Sequence, residues 1–209
     1  PVDVSVLASG DRFVSVVAGG VHSCGLTSQG QAYCWGWDLF GRLGNGAALT
    51  ANQTSPSLVD TSVLASGDRF VSLALGWEHT CGLTSQGQAY CWGSDANGQL
   101  GNGAVLTSNQ TSPSPVDASV LASGDRFVSL TAGYGHTCGL TSQGQAYCWG
   151  SDSNGRLGNG AALTADQTSP SLVDTSVLAS GDRFVSLTAY NGQSCGLTSQ
   201  GQAYCWGRD

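Results

Sequence analysis

Eight cysteines are the first residues whose type and spacing could do chemistry. They stand in four pairs, each pair ten residues apart: Cys24 and Cys34, Cys81 and Cys91, Cys138 and Cys148, Cys195 and Cys205. Thiolates can hold zinc, but zinc ligands come as close pairs such as C-x2-C, and the sequence has none. Each pair instead flanks a Ser-Gln-Gly turn signal. A hairpin centred on Gln29 sets Cys24 opposite Cys34, with Cβ atoms about 4.5–5.5 Å apart, within reach of a bridge. Four disulfides are expected, and with them an oxidising compartment, extracellular or periplasmic.

Other candidate chemistry is thinner. Asp38-Leu39-Phe40-Gly41 and its copies at Asp95 and Asp152 faintly resemble calcium loops. They lack the alternating oxygen ligands that end in Glu, so a turn whose Asp caps backbone N–H groups is expected instead. Glu78 and His79 are neighbours on a strand and would point to opposite faces, which makes a poor catalytic pair. No nucleophile–base pair, phosphate loop or paired-carboxylate arrangement stands out, so neither an enzyme, a metal nor a cofactor is expected.

The elements that must position these residues follow from a repeat. The segment CGLTSQGQAYCWG begins at Cys24, Cys81, Cys138 and Cys195, a period of 57 residues. The 209 residues read as one repeat domain, with units 1–57, 58–114, 115–171 and a partial 172–209. Such a period points to propellers or solenoids. Within a unit, strands are expected at Val2 to Ala8, Phe13 to Ala18, Ser23 to Thr27 and Gln31 to Trp35, with a polar, Gly-rich loop over Gly41 to Pro56. Four short strands without helical periodicity fit a β-propeller blade, in an all-β protein of about four blades.

Composition narrows the partners. Seven basic residues, all Arg, stand against fourteen acids, for a net charge of −7. That balance argues against nucleic acid and against a basic membrane-surface patch. No apolar run approaches the roughly 18 residues of a membrane span. The sequence opens at Pro1 and contains no Met, which implies a processed product, a fragment or part of a longer chain.

The segment VVAGGVHSCGLTSQGQAYCWG, followed by GRLGNG, resembles the regulator-of-chromosome-condensation repeat: the AGxxH segment, the aromatic-x-Trp-Gly strand and the GxLGxG loop are its marks. The resemblance implies a propeller, typically of seven blades, and a protein-binding surface rather than a shared chemistry. The paired cysteines depart from the nuclear members and suggest a secreted, bacterial-type variant. In the family the His of AGxxH opens the second strand. His22, His79 and His136, with Gln193 in the fourth copy, are thus expected to bond nearby backbone, not to ring a metal. The unchanged Trp35, Trp92, Trp149 and Trp206 are expected to pack between blades. With an outermost strand at Pro1 to Val6 and none closing the last unit, the ring would close as four blades, as a homodimer of eight, or in a longer repeat chain.

The four copies can be compared with one another. Of 17 variable positions, 12 fall in two windows, 16–23 and 37–42 of the unit. Strand alternation puts both windows on one face and the invariant Ser9 to Asp11 and Ser28 to Gly30 turns on the other. Large aromatics on one face of a rigid scaffold read as binding anchors, whereas drift would scatter over both faces. The expected ligand-binding residues are Trp37, Leu39, Phe40, Arg42, Trp77, Glu78, Asn97, Gln99, Tyr134, Asn154, Arg156, Tyr190 and Asn191. The expected function is a non-enzymatic extracellular module that binds a protein or glycan, with a self-assembling surface scaffold or filament as the alternative.

Overall fold

A computed structural model of the chain describes residues 2–47, 52–104, 108–160 and 165–208. They form four antiparallel sheets. Blade 1 comprises β1 (Phe13–Ala18), β2 (His22–Thr27), β3 (Ala32–Gly36) and β4 (Gln53–Leu58). Blade 2 comprises β5 (Phe70–Leu75), β6 (His79–Thr84), β7 (Ala89–Gly93) and β8 (Gln110–Pro115). Blade 3 comprises β9 (Phe127–Ala132), β10 (His136–Thr141), β11 (Ala146–Gly150) and β12 (Gln167–Leu172). Blade 4 has three strands, β13 (Phe184–Tyr190), β14 (Gln193–Thr198) and β15 (Ala203–Gly207). Strands follow chain order across each sheet. The first strands β1, β5, β9 and β13 lie side by side along the inside of an arc. Among the described residues no helix is long and apolar enough to cross a membrane.

The inner three strands sit where the pattern places them, within one residue. The outer strand does not. Val2 to Ala8 forms turns, with Leu7 N–H donating to the Val4 carbonyl at 3.1 Å, and its valines are exposed. The fourth strand is Gln53–Leu58, which begins inside the segment Gly41 to Pro56 expected to be a loop and runs two residues past it. Its Pro56 is tolerated because the register shifts between Cys34 and Gly36, a bulge where no proline N–H is required. Residues 2–8 therefore supply no spare strand, and the ring-closing scheme built on Pro1 to Val6 loses its donor.

All four disulfides form, between directly opposed residues with Cα atoms 4.1 Å apart. The first three lie in the interfaces between blades, whereas Cys205 of the fourth is exposed. Cys24, Leu26, Ala32, Cys34, Leu43 and Val59 of one blade pack against Phe70, Tyr90 and Trp92 of the next, and the pattern recurs onto Phe127 and Trp149. Each Phe ring also covers a glycine of its own sheet: a Cβ on Gly82 would come within 2.5 Å of Phe70. Likewise Gly101, at φ +68°, lets the blade 2 loop slide under Trp149, whose indole N–H donates to the Gln99 carbonyl at 3.0 Å. Trp92 and Trp149 are fully buried between blades.

Candidate functional site

The two variable windows meet on one face. The first is the turn between the first two strands of each blade; the second is the exit from the third. Trp37 N–H donates to the Val21 carbonyl at 3.1 Å, and Ser94 and Ser151 repeat the bond to Glu78 and Gly135 at 3.0 and 2.8 Å. The invariant turns meet on the opposite face, where Ser28 Oγ donates to Asp11 Oδ1 at 2.7 Å.

Successive first turns are stitched together around the inner end of the blades. Gly20 N–H donates to the Gly76 carbonyl at 3.3 Å, Trp77 N–H to Gly133 at 3.2 Å, and Tyr134 N–H to Asn191 at 2.8 Å. This seam rims a cavity of about 740 Å³ lined by the ends of all four inner strands, among them Val17, Leu73, Leu75, Leu130 and Tyr190. Trp77 and Tyr134 stand on the rim with ring centroids 5.8 Å apart, half exposed, and Tyr190 beside them is 80% exposed. Gly20 gives Trp77 room to lie across blade 1: a Cβ there would come within 2.3 Å of the indole. Asn191, at φ 49°, holds its turn in a left-handed conformation that asparagine tolerates better than most residues.

A second cluster lies on blade 1. The Arg42 guanidinium sits 4.9 Å from the Trp37 ring centre and 5.6 Å from that of Phe40. Its Nε donates to the Leu39 carbonyl at 2.7 Å and its Nη1 to the Trp77 carbonyl at 3.1 Å, which ties this cluster to the rim. Phe40 is held at φ 71°, a strained backbone for an aromatic residue. Trp37 and Leu39 remain exposed. Burial draws the Arg42 guanidinium below its ordinary value, against the opposing charges of Glu78 and Asp38.

Two expected ligand contacts are structural instead. Arg42 and Gln99 are buried, because each braces its own loop from beneath. Gln99 Oε1 accepts from Asn97 N–H at 2.9 Å, the place Arg42 fills in blade 1 with its bond to Leu39. Glu78, Asn97 and Arg156 are part-buried, and Asn154 and Asn191 are exposed. Asn97 and Asn154 sit on the loops of blades 2 and 3, outside the cavity lining.

The histidines are positioned by the next blade, not by nearby backbone. Thr80 Oγ1 gives its one proton to the Arg42 carbonyl at 2.8 Å, so it must accept from His22 Nε2 at 2.7 Å. The same reasoning holds for His79 with Thr137 and His136 with Ser194, at 2.8 and 2.9 Å. Each ring is therefore the Nε2–H tautomer. Burial holds His22 and His79 down to about 3 and His136 to about 4. Asp38, Asp95 and Asp152 cap the N–H groups of Leu43, Leu100 and Leu157 at 3.1–3.2 Å, and burial pushes Asp38 up to about 6. Among the described residues no group of three His, Cys, Asp or Glu is placed to hold a metal. The arrangement offers recognition surface, with walls of mixed polar and apolar groups and an aromatic rim.

Comparison with known proteins agrees with this architecture. Two models of the regulator of chromosome condensation (RCC1) repeat match, one at residues 29–83 and 86–140, the other at 13–42, 70–99 and 127–156. The ultraviolet-B receptor of Arabidopsis thaliana is 30% identical over 200 residues, 95% of this chain and 42% of the receptor. The crystal structure of human WBSCR16 superposes with a TM-score of 0.80 at 20% identity, over 94% of this chain and 48% of that one. Yeast RCC1, solved bound to Kap60, superposes at 0.76 and 26% identity, over 95% and 42%. The chain thus spans less than half the length of these relatives.

Proposed function

The chain belongs to the regulator of chromosome condensation repeat family, and on that premise we propose that it is a non-catalytic module that holds a protein partner across its variable face. One observation carries the reading: Trp77, Tyr134 and Tyr190 crowd the rim of a preformed cavity, at the positions where otherwise identical copies differ. Aromatic anchors on a rigid scaffold bind with little ordering cost. The capture of Kap60 by yeast RCC1 supports a protein as partner. The four disulfides support an oxidising compartment outside the cytosol.

A photo-cross-linking residue placed at Tyr134, or at Gln86 on the opposite face, tests this. Capture of one defined protein from Tyr134 alone, lost in Trp77→Ala, is expected; equal capture from both faces would overturn the reading.

A further inference from the structure

Four of the seven arginines stand on the invariant face: Arg12, Arg69, Arg126 and Arg183, each just before the first strand of its blade. Their backbones are fastened to the invariant turns. Arg69 N–H donates to Asp68 Oδ1 at 2.9 Å, and the Arg69 carbonyl accepts from Ser85 N–H at 2.9 Å. Arg126 and Arg183 repeat both bonds at the same lengths. The side-chain stem then crosses to the preceding blade. A Cβ on Gly87 or Gly144 would come within 2.5 Å of the Cδ of Arg126 or Arg183, and Gly30 meets the Arg69 stem in the same way.

Packing along the stem leaves the charged head open. All three of these arginines are exposed, and among the described residues nothing bonds to or pairs with their guanidinium groups. Arg42 and Arg156, on the variable face, instead donate from Nε to the Leu39 and Ser153 carbonyls of their own loops. The neighbouring carboxylates are engaged within the turns: Asp68 Oδ1 accepts from Ser85 Oγ at 2.6 Å besides the Arg69 N–H, and Asp125 and Asp182 accept from Ser142 and Ser199 at 2.6 and 2.7 Å. Next to each crossed glycine the turn carries an exposed glutamine, Gln29, Gln86 or Gln143. Three successive seams between blades thus present one and the same pair, a guanidinium from one blade and a carboxamide from the blade before it.

We propose that the invariant face binds a linear acidic polysaccharide, a polymer of uronate sugars laid along the arc with its carboxylates on Arg69, Arg126 and Arg183 and its hydroxyls on Gln29, Gln86 and Gln143. A guanidinium holds a carboxylate through two parallel N–H donors. A carboxamide offers both a donor and an acceptor, which suits a hydroxyl. Repetition selects the class of partner. Three identical subsites on a rigid scaffold fit a ligand that repeats its own charge, and each subsite engaged after the first binds as an intramolecular event. Charge density separates this polymer from nucleic acid. A duplex carries about one negative charge per 1.7 Å, which a chain of net charge −7 with one open guanidinium per blade opposes. A uronate chain spaces its charges by hydroxyl-bearing rings.

Calorimetric titration of the 209-residue protein with polygalacturonate at low salt tests the surface. Saturable binding that weakens as salt is added is expected. The methyl-esterified polymer, which keeps the hydroxyls and loses the charge, should not bind. Arg126→Gln, at the central seam, should weaken binding about tenfold, as loss of a charge-assisted hydrogen bond does. The same change at Arg69, Arg126 and Arg183 together should abolish it, with the far-ultraviolet circular dichroism of the parent retained. Trp77→Ala, on the variable face, should bind the polymer as the parent does. Absence of saturation, equal binding of the ester, an Arg126→Gln protein that binds as the parent does, or duplex DNA held as tightly as polygalacturonate would each overturn the proposal. Capture of a protein from Tyr134 is a separate readout on the other face, so neither result decides the other.

Discussion

The second and fourth blades carry the same thirteen residues, Cys81 to Gly93 and Cys195 to Gly207, and fold them into the same disulfide-linked hairpin in the same register. Their surroundings differ completely. Cys81, Leu83, Ala89 and Cys91 are at most 4% exposed beneath blade 3, while Leu197 is 44% exposed and Ala203 and Cys205 face solvent. The hairpin is thus a local product of turn chemistry and strand pairing, but its burial is conferred by the neighbour. Stability in such an array is a sum of intrinsic and interface terms, and the interface term is missing at the ends.

The sharpest way to break this comparison is to remove the same indole from two settings. Trp149→Ala, in the sealed interface, should cost about 3–5 kcal/mol. Trp35→Ala, on the part-exposed face of blade 1, should cost less than about half of that. Urea unfolding followed by near-ultraviolet circular dichroism reads both, and equal losses would mean that interfaces do not dominate. The disulfides come next. Replacing Cys81 and Cys91 together by Ala removes loop-closure stabilisation of about 2–3 kcal/mol and also disturbs the seam with blade 3. The same change at Cys195 and Cys205 should lose the loop term alone, visible as a smaller shift in the urea midpoint.

Acid sharpens the contrast further, because blades 1 to 3 bury neutral imidazoles and blade 4 has Gln193 in that place. His22, His79 and His136 hold folded-state values of about 3, 3 and 4 against an ordinary 6.5. The unfolded chain then binds more protons, so their stabilisation is full above pH 6.5 and is lost as the pH falls toward 4. Asp38, raised to about 6, works the other way between 6 and its ordinary 3.8. Three imidazoles outweigh one carboxyl. Each histidine sets a slope of about 1.4 kcal/mol per pH unit. His79→Gln, which installs the residue of the fourth copy, should remove one of these slopes. It should also cost about 1–2 kcal/mol at pH 7 through the lost bond to Thr137. Stability that stays flat between pH 6.5 and 4 would show that the rings are not held neutral.

The inner three strands and all four bridges could be read from the residues because both depend on local signals: the Ser28-Gln29-Gly30 turn, the Phe13 to Ala18 run and the ten-residue cysteine spacing. The outer strand could not. Gln53–Leu58 is polar and contains Pro56, which reads as loop, yet an edge strand asks little of its own sequence when β3 and the neighbouring loop supply the partners. Val2 to Ala8 carries the opposite trap, with strand-like alternation spent on turns. At the site, placing both variable windows on one face needed only strand alternation. The burial of Arg42 and Gln99 did not follow from it, since variability between copies suggests exposure. Here it reflects what each side chain meets in its own loop: Trp37 and Phe40 stack on Arg42, and the Asn97 backbone N–H donates to Gln99.

The smallest expected effect on stability is the most telling for function. Trp77→Asn puts the fourth copy's residue on the rim of the second blade. Trp77 is 42% exposed, and its main partner is the Tyr134 ring 5.8 Å away, so the loss should be about 1 kcal/mol or less. The backbone bond from residue 77 to the Gly133 carbonyl survives any side chain, and the cavity keeps its strand walls. A large aromatic whose removal barely moves the unfolding midpoint is not maintained there by folding. If the partner cross-linked at Tyr134 is released by the same substitution, the difference between copies is the difference that binds. If the midpoint instead drops as it does for Trp149→Ala, the rim is an interface like the others and its aromatics belong to the core.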